Sequence, residues 1–264
     1  MATPAPPATP SVLPSVLGVF AHPDDESLLA GGVLAQHAVA GARTAVVTTT
    51  WAPGSPRATE LADALTVLGA GAPRMLGYGD ARNDSSAPGQ PRLCDVDINH
   101  AVAQLVTHIR HIRPTVVITH DALGQLTGHP DHRRTHQLTL LAVEAAALAP
   151  LHPEAGQPWQ ANALYTATHP HSAIRDLAPL LQGVGKSLES VPDAYATTAV
   201  DVTAWLDQKW AAIRSHRSQL EGERPLPALL GRLDDERRAH ILGTEYFTRL
   251  DLTPGPPGQR HLTP

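Results

Sequence analysis

Val16-Leu17-Gly18-Val19-Phe20-Ala21-His22-Pro23-Asp24-Asp25-Glu26 is the stretch that decides the architecture. Its first six residues form an unbroken apolar run of β-branched and small side chains, the composition of a strand buried on both faces. Such a strand belongs in a parallel sheet covered by helices, and the chain downstream alternates accordingly. Leu28–Ala42, with Val33, Leu34, His37 and Ala38 at helical spacing, reads as a helix ending at Gly41. Arg43–Thr50 is a second strand, Pro56–Leu68 a helix closed by Gly69, and Arg74–Tyr78 a third strand. Asp97–Ile112 is the next helix, and Thr115–Thr119 is a fourth strand behind Pro114. His129–Leu148, Ala163–Thr168 and Trp205–Leu220 read as helix, strand and helix. The crossovers are long enough for parallel pairing. The pattern predicts an α/β fold, a doubly wound, mostly parallel, Rossmann-like sheet with the first four strands in the order 3-2-1-4. One domain over 14–252, with a C-terminal substrate-side extension, is expected between disordered Pro-rich tails at 1–13 and 253–264.

Composition narrows the function classes. Of 264 residues, 42% are hydrophobic, enough for one sizeable core, and with only two Phe the filling falls to Ala, Val and Leu. A net charge of −5 gives no electrostatic reason to expect nucleic acid or an anionic membrane as partner. The single cysteine, Cys94, excludes an internal disulfide framework and a thiolate zinc site, and is expected as a small buried or half-buried side chain. Met1 to Pro14 has neither a basic start nor an apolar core, and no run reaches transmembrane length, so a cytoplasmic protein without stable membrane insertion is expected. The 15 histidines are too many for each to matter. A histidine counts here by its neighbours.

Two neighbourhoods stand out. The first, His22-Pro23-Asp24-Asp25-Glu26, follows the first strand; the second, Gly128-His129-Pro130-Asp131-His132, follows the fourth. Strands 1 and 4 of a doubly wound sheet are neighbours whose helices leave on opposite faces, and a crevice opens at their carboxyl ends. Both clusters therefore fall at one switch point although more than 100 residues separate them. Two imidazoles and a carboxylate with an open position make a catalytic zinc site, and iron(II) also suits that donor set. His22 and Asp25, three apart at a bend, and His132 at a helix start are the candidate ligands. Asp24 points away from Asp25 in a near-extended stretch, which frees it to take a proton from the attacking water. Pro130 at the first helical position makes His129 the cap residue, placed to donate to an oxyanion or to protonate a leaving amine. Asp131 beside it is expected to hold His129 in its proton-donating form. Glu26 either orients His22 or favours the first helical turn.

The AHPDDE motif at 21–26 followed far downstream by GHPDH at 128–132 resembles the PIG-L/LmbE-like zinc N-deacetylases over most of residues 15–220. The resemblance implies hydrolysis of an amino-sugar N-acyl amide by one zinc ion on His22, Asp25 and His132, with Asp24 as base and His129 at the oxyanion. It further implies that Arg57, in an Arg-x-x-Glu pair with Glu60, contacts the sugar, that Asp80 holds sugar hydroxyls, and that His216, in a late Lys209–Gln219 segment, lies near the pocket. Trp51-Ala52-Pro53-Gly54 stands where several members carry Gly-Glu, and Thr127 where thiol-pathway members often carry Tyr. Trp51 and the Pro/Gly-rich loops at 52–56 and 85–91 point to a wide pocket mouth. The resemblance is then nearest to deacetylases of glycopeptide-antibiotic pseudoaglycones, with a thiol-pathway or other small N-acetylglucosaminide as the alternative substrate. A metal-dependent esterase and a non-catalytic sugar- or peptide-binding module are the rival classes. A nucleotide site is disfavoured because no Gly-x-Gly-x-x-Gly follows the first strand.

Overall fold

The computed structural model of the chain describes residues 13–254, so the tails expected at 1–13 and 253–264 fall almost wholly outside the described residues. Val16–Phe20 (β1), Thr44–Thr50 (β2), Arg74–Tyr78 (β3), Val116–His120 (β4) and Ala163–Ala167 (β5) pair in parallel. Asp25–Val39 (α1), Pro56–Leu68 (α2), Ile98–Ile112 (α3) and Pro130–Ala147 (α4) are the crossovers among them. The first four strands lie in the expected order, and the whole chain is a mostly parallel α/β sheet.

Why β1 is apolar throughout is visible in its two sides. Leu17 and Val19 pack in one core with α3 and α4. Val16 and Phe20 pack in a second core with α1, α2 and Leu206–Ser215 (α6). Successive side chains point to opposite faces, and here both faces are dry. Gly32 in α1 is required by close approach, because a Cβ there would lie 2.4 Å from Val202 Cβ. Gly69 ends α2 in the left-handed conformation at φ 70, the αL stop read from the sequence.

The C-terminal third differs most from expectation. Thr198–Asp201 (β6) and Thr244–Asp251 (β7) extend the sheet to the order β3-β2-β1-β4-β5-β7-β6, and β7 inserts antiparallel to both β5 and β6. Leu177–Gly183 (α5), Leu226–Gly231 (α7) and Asp235–Leu242 (α8) are short helices absent from the sequence reading. The helix expected over Trp205–Leu220 stops at Ser215 and continues as one tight turn over Arg217–Gln219. Together these segments build a third hydrophobic cluster beside the carboxyl ends of the central strands. Among the described residues, no helix is long and apolar enough to cross a membrane.

Candidate metal centre and active site

The turn after β1 is not near-extended. Asp24 has φ 129 and caps α1 with its backbone, while its side chain makes no capping bond. That positive φ, not strand alternation, separates the Asp24 and Asp25 carboxylates. A non-glycine residue at such a φ needs outside support. Glu26 supplies it by accepting the Asp24 N–H at 3.0 Å, and Arg57 donates to the Pro23 carbonyl. Asp25, the first helical residue, accepts the His22 N–H at 2.8 Å. The helix starts at Asp25 rather than Leu28, with two acidic side chains in its first turn where the helix dipole favours them.

Donor atoms of three residues meet across the β1–β4 crevice. His22 Nδ1 lies 3.1 Å from His132 Nε2 and 3.3 Å from an Asp25 carboxylate oxygen. His132 Nε2 lies 3.4 Å from the other Asp25 oxygen. A tetrahedral ion with bonds of about 2.0–2.1 Å separates its ligands by roughly 3.3 Å. The residues therefore fit one divalent ion.

The same neighbourhood brings donors together in three further ways: His22 with His129 and His132, His22 with Asp80, His129 and Asp131, and Asp25 with His120 and His132. Hydrogen bonding separates them. His120 Nε2 accepts the Ala21 N–H at 2.8 Å and its Nδ1 faces Gln125 Oε1 at 2.7 Å, which occupies both ring nitrogens. His120 instead stacks on His132, rings 4.1 Å apart and 13° from parallel, and fixes that imidazole's plane. His129 Nδ1 accepts the Asp131 N–H at 3.2 Å as the cap of α4, so its proton sits on Nε2. Burial, with His22 and Arg82 nearby, pushes the His129 imidazole down to about 4, so it is a neutral donor at ordinary pH.

Asp131 does not hold His129 protonated as expected. One of its oxygens accepts from the Ala81 N–H at 2.9 Å and faces His22 Nε2 at 3.2 Å; the other takes the Cys94 thiol at 3.3 Å. It orients His22 so that Nδ1 faces Asp25 and His132, the outer-shell arrangement typical of metal-binding histidines. Cys94 is exposed as a residue rather than buried or half-buried, while its sulfur sits against Asp131; the cover on that sulfur and the Asp131 charge push the thiol up to about 12.

The remaining candidates separate into those at the cavity and those behind it. A cavity of about 280 Å³ opens on His22, Asp24, Asp25, His129 and His132. Asp80 also lines it, 3.4 Å from His22 Nε2. Asp24 lies 3.0 Å from Arg57 Nη2, and burial outweighs that pull to raise its carboxyl to about 6. Arg57 reaches the cavity but serves the Pro23-Asp24 turn. Trp51, expected at the mouth, is not among the lining residues; it packs against the Arg57 guanidinium with 4.7 Å to its ring centroid. His216, expected near the pocket, is buried behind it, with Nε2 2.7 Å from Glu26 Oε1. Glu26 therefore touches His216 and the Asp24 backbone, not His22. Glu60 anchors the same late segment by accepting from Ser218 N at 2.8 Å and Oγ at 2.7 Å.

Sequence reasoning missed His120, although Thr119-His120-Asp121 ends the very strand placed beside β1, and that position was the available signal. It also missed the buried Lys209–Glu245 pair at 2.8 Å, whose carboxylate accepts the Gly32 and Val33 N–H groups. Glu245 sits on β7, which carries no parallel-sheet signature.

Known proteins resemble the chain in sequence and fold. Residues 17–143 match the family described as PIG-L, GlcNAc-PI de-N-acetylase. A 1D-myo-inositol 2-acetamido-2-deoxy-alpha-D-glucopyranoside deacetylase of Rhodococcus erythropolis is 36% identical, covering 92% of this chain and 93% of its own. The conserved protein TT1542 of Thermus thermophilus superposes with a TM-score of 0.61 at 26% identity, over 94% of this chain and all of that one. A teicoplanin deacetylase in its zinc-inhibited form matches with a TM-score of 0.52 at 22% identity, over 90% and 100%, a likeness of fold alone. The nearest resemblance read from the sequence, to glycopeptide deacetylases, is thus corrected toward the inositol-glycoside enzymes. The crevice at β1 and β4, its two His-Pro-Asp turns and these relatives together place the chain in the PIG-L family of de-N-acetylases, a family of enzymes.

Proposed function

We propose that the protein hydrolyses the N-acetyl amide of a small glucosaminide, releasing acetate and the free amine, with zinc at His22, Asp25 and His132. The observation that carries this reading is the meeting of His22 Nδ1, His132 Nε2 and the Asp25 carboxylate beside the separate Asp24 carboxylate. A divalent ion on those ligands supplies Lewis acidity, lowering the pKa of water and polarising the carbonyl. Nitrogen and carboxylate donors favour zinc over magnesium or calcium, and iron(II) is the other ion they suit.

The chain's own groups do the rest. Asp24, with its carboxyl near 6, is ionised at neutral pH and takes the proton of the attacking water. The His129 Nε2–H donates to the carbonyl oxygen as negative charge develops there. Asp24, now protonated, returns its proton to the departing nitrogen. Asp131 fixes His22, and Arg57 holds the Asp24 carboxylate in place. Asp80, at the cavity wall, is the residue that meets sugar hydroxyls.

The substrate this reading favours is the inositol glycoside named in the curated relatives. A glycopeptide pseudoaglycone loses its motivation, because Trp51 braces Arg57 instead of shaping the mouth. The test is acetate release by zinc-loaded protein from 1D-myo-inositol 2-acetamido-2-deoxy-alpha-D-glucopyranoside, a pseudoaglycone and a simple ester, assayed side by side. Turnover of the inositol glycoside above the other two is the expected result. Cleavage of the ester alone would replace this reading with an esterase.

A further inference from the structure

The cavity does not end at the metal-binding residues. Leu28, Leu126, Leu177, Leu226, Ile241 and Leu242 line it as well, and all six belong to or pack on the third hydrophobic cluster. The inner face of that cluster is therefore a wall of the active-site cavity. Four of these residues lie beyond residue 143, where the family match stops, on α5, α7 and α8. Most of this wall is thus built by a segment that the family match does not cover.

An acetyl group presents one methyl to such a surface, and an inositol ring presents hydroxyl-bearing carbons. Neither covers an apolar wall built from three helices. Apolar surface left against water in a concave site is unfavourable by roughly 25 cal/mol per Å², which an apolar ligand removes. The charges nearest the wall from β7 and α6 do not oppose this. Glu245 and Lys209 neutralise each other at 2.8 Å.

We infer that this wall forms an arm for an apolar chain of several carbons attached to the amino sugar, carried as its N-acyl group or as its aglycone. The inference rests on the amide hydrolysis proposed above and names the substrates that reaction prefers. The chemistry is unchanged: water adds to the amide carbon, the C–N bond breaks, and carboxylic acid and amine leave.

Two series test it on the full-length zinc-loaded protein. One is methyl glucosaminide bearing N-acetyl, N-butanoyl, N-hexanoyl and N-octanoyl groups; the other is N-acetylglucosamine as its methyl, butyl and octyl glycosides. kcat/KM should rise along one series by up to about fourfold per methylene that becomes buried, and the series that rises identifies where the chain is carried. Leu226→Gln and Ile241→Gln, both at half-buried positions, should each flatten that rise, so the inference survives the misfolding of either variant. Two flat or falling series, or a slope unchanged in both variants, would overturn the arm. Calorimetric binding of octyl against methyl N-acetylglucosaminide, and of methyl N-octanoyl- against methyl N-acetylglucosaminide, reads the arm without turnover. If no member releases acid, the proposed reaction fails, while a tighter long-chain compound in either pair still supports the arm and equal affinities in both pairs remove it.

Discussion

At the scale of single residues, the centre divides its labour between neighbours in sequence. Asp25 faces the two imidazoles and Asp24 faces Arg57, because one backbone angle at Asp24 turns them apart. Asp24→Asn should then keep stoichiometric zinc by elemental analysis while kcat/KM falls about 10²–10⁴-fold, the usual loss for a general base. Near-normal turnover in that variant would remove Asp24 from its role. On the proposed ligand set, His132→Ala should do the reverse and lose the metal itself, since two ligands hold a divalent ion poorly. A full equivalent of zinc retained after gel filtration would take His132 off the ligand list. The two turns could be located from the sequence, because chemistry dictates which types must recur at which spacing, but the partners of Asp131 and Glu26 within them could not. The roles of His120, Trp51 and His216 were not legible either. A histidine that stacks, a tryptophan that braces and a histidine buried behind a glutamate differ from catalytic or sugar-contacting ones only by what stands opposite them, and sequence spacing does not encode that.

At the scale of elements, the strands and helices of the parallel half could be read to within a residue except α1, which runs three residues earlier than expected, and several carry their own stop or start: Gly69 for α2, Pro114 after α3, Pro130 opening α4. The end of α4 has no such signal and is held from a distance. Arg110, buried on α3, donates to the carbonyls of Ala145, Ala146 and Leu148 at the end of α4 and to those of Leu151, His152 and Gly156 in the following loop. One guanidinium thus satisfies six acceptors and places positive charge at a helix carboxyl end. Hydrogen bonds to charged groups are worth about 1.5–3 kcal/mol each and are not additive. Arg110→Met should lower stability by about 3 kcal/mol, and Arg110→Lys should recover only part, because an ammonium cannot reproduce the fork. Urea midpoints at unchanged m-value check both. A midpoint that does not move would mean that water serves these carbonyls equally well.

At the scale of the whole molecule, the chain joins a half whose topology is dictated by its pattern to a half whose topology is dictated by what it must cover. β7 inserts antiparallel between β5 and β6, and nothing local announces that, since its neighbours are fixed only once the sheet edge exists. Folding also buries ionisable groups far from the centre, and this gives stability a pH dependence separable from the metal. His108 on α3 is pushed down to about 4, first by burial and then by Arg74 and His111. Its unfolded value is near 6.5. Between those values the unfolded chain binds a proton that the folded chain excludes, so stability is full above about pH 6.5 and declines as pH falls toward 4. Replacing His108 with Gln should flatten the stability–pH curve of the metal-free protein in that window and leave it unchanged above pH 7. Comparing metal-free proteins matters, because metal binding is itself pH-dependent and would steepen both curves alike. If the two slopes coincide, the imidazole of His108 is protonated as easily in the folded state as in the unfolded one, and the acid sensitivity lies elsewhere in the chain.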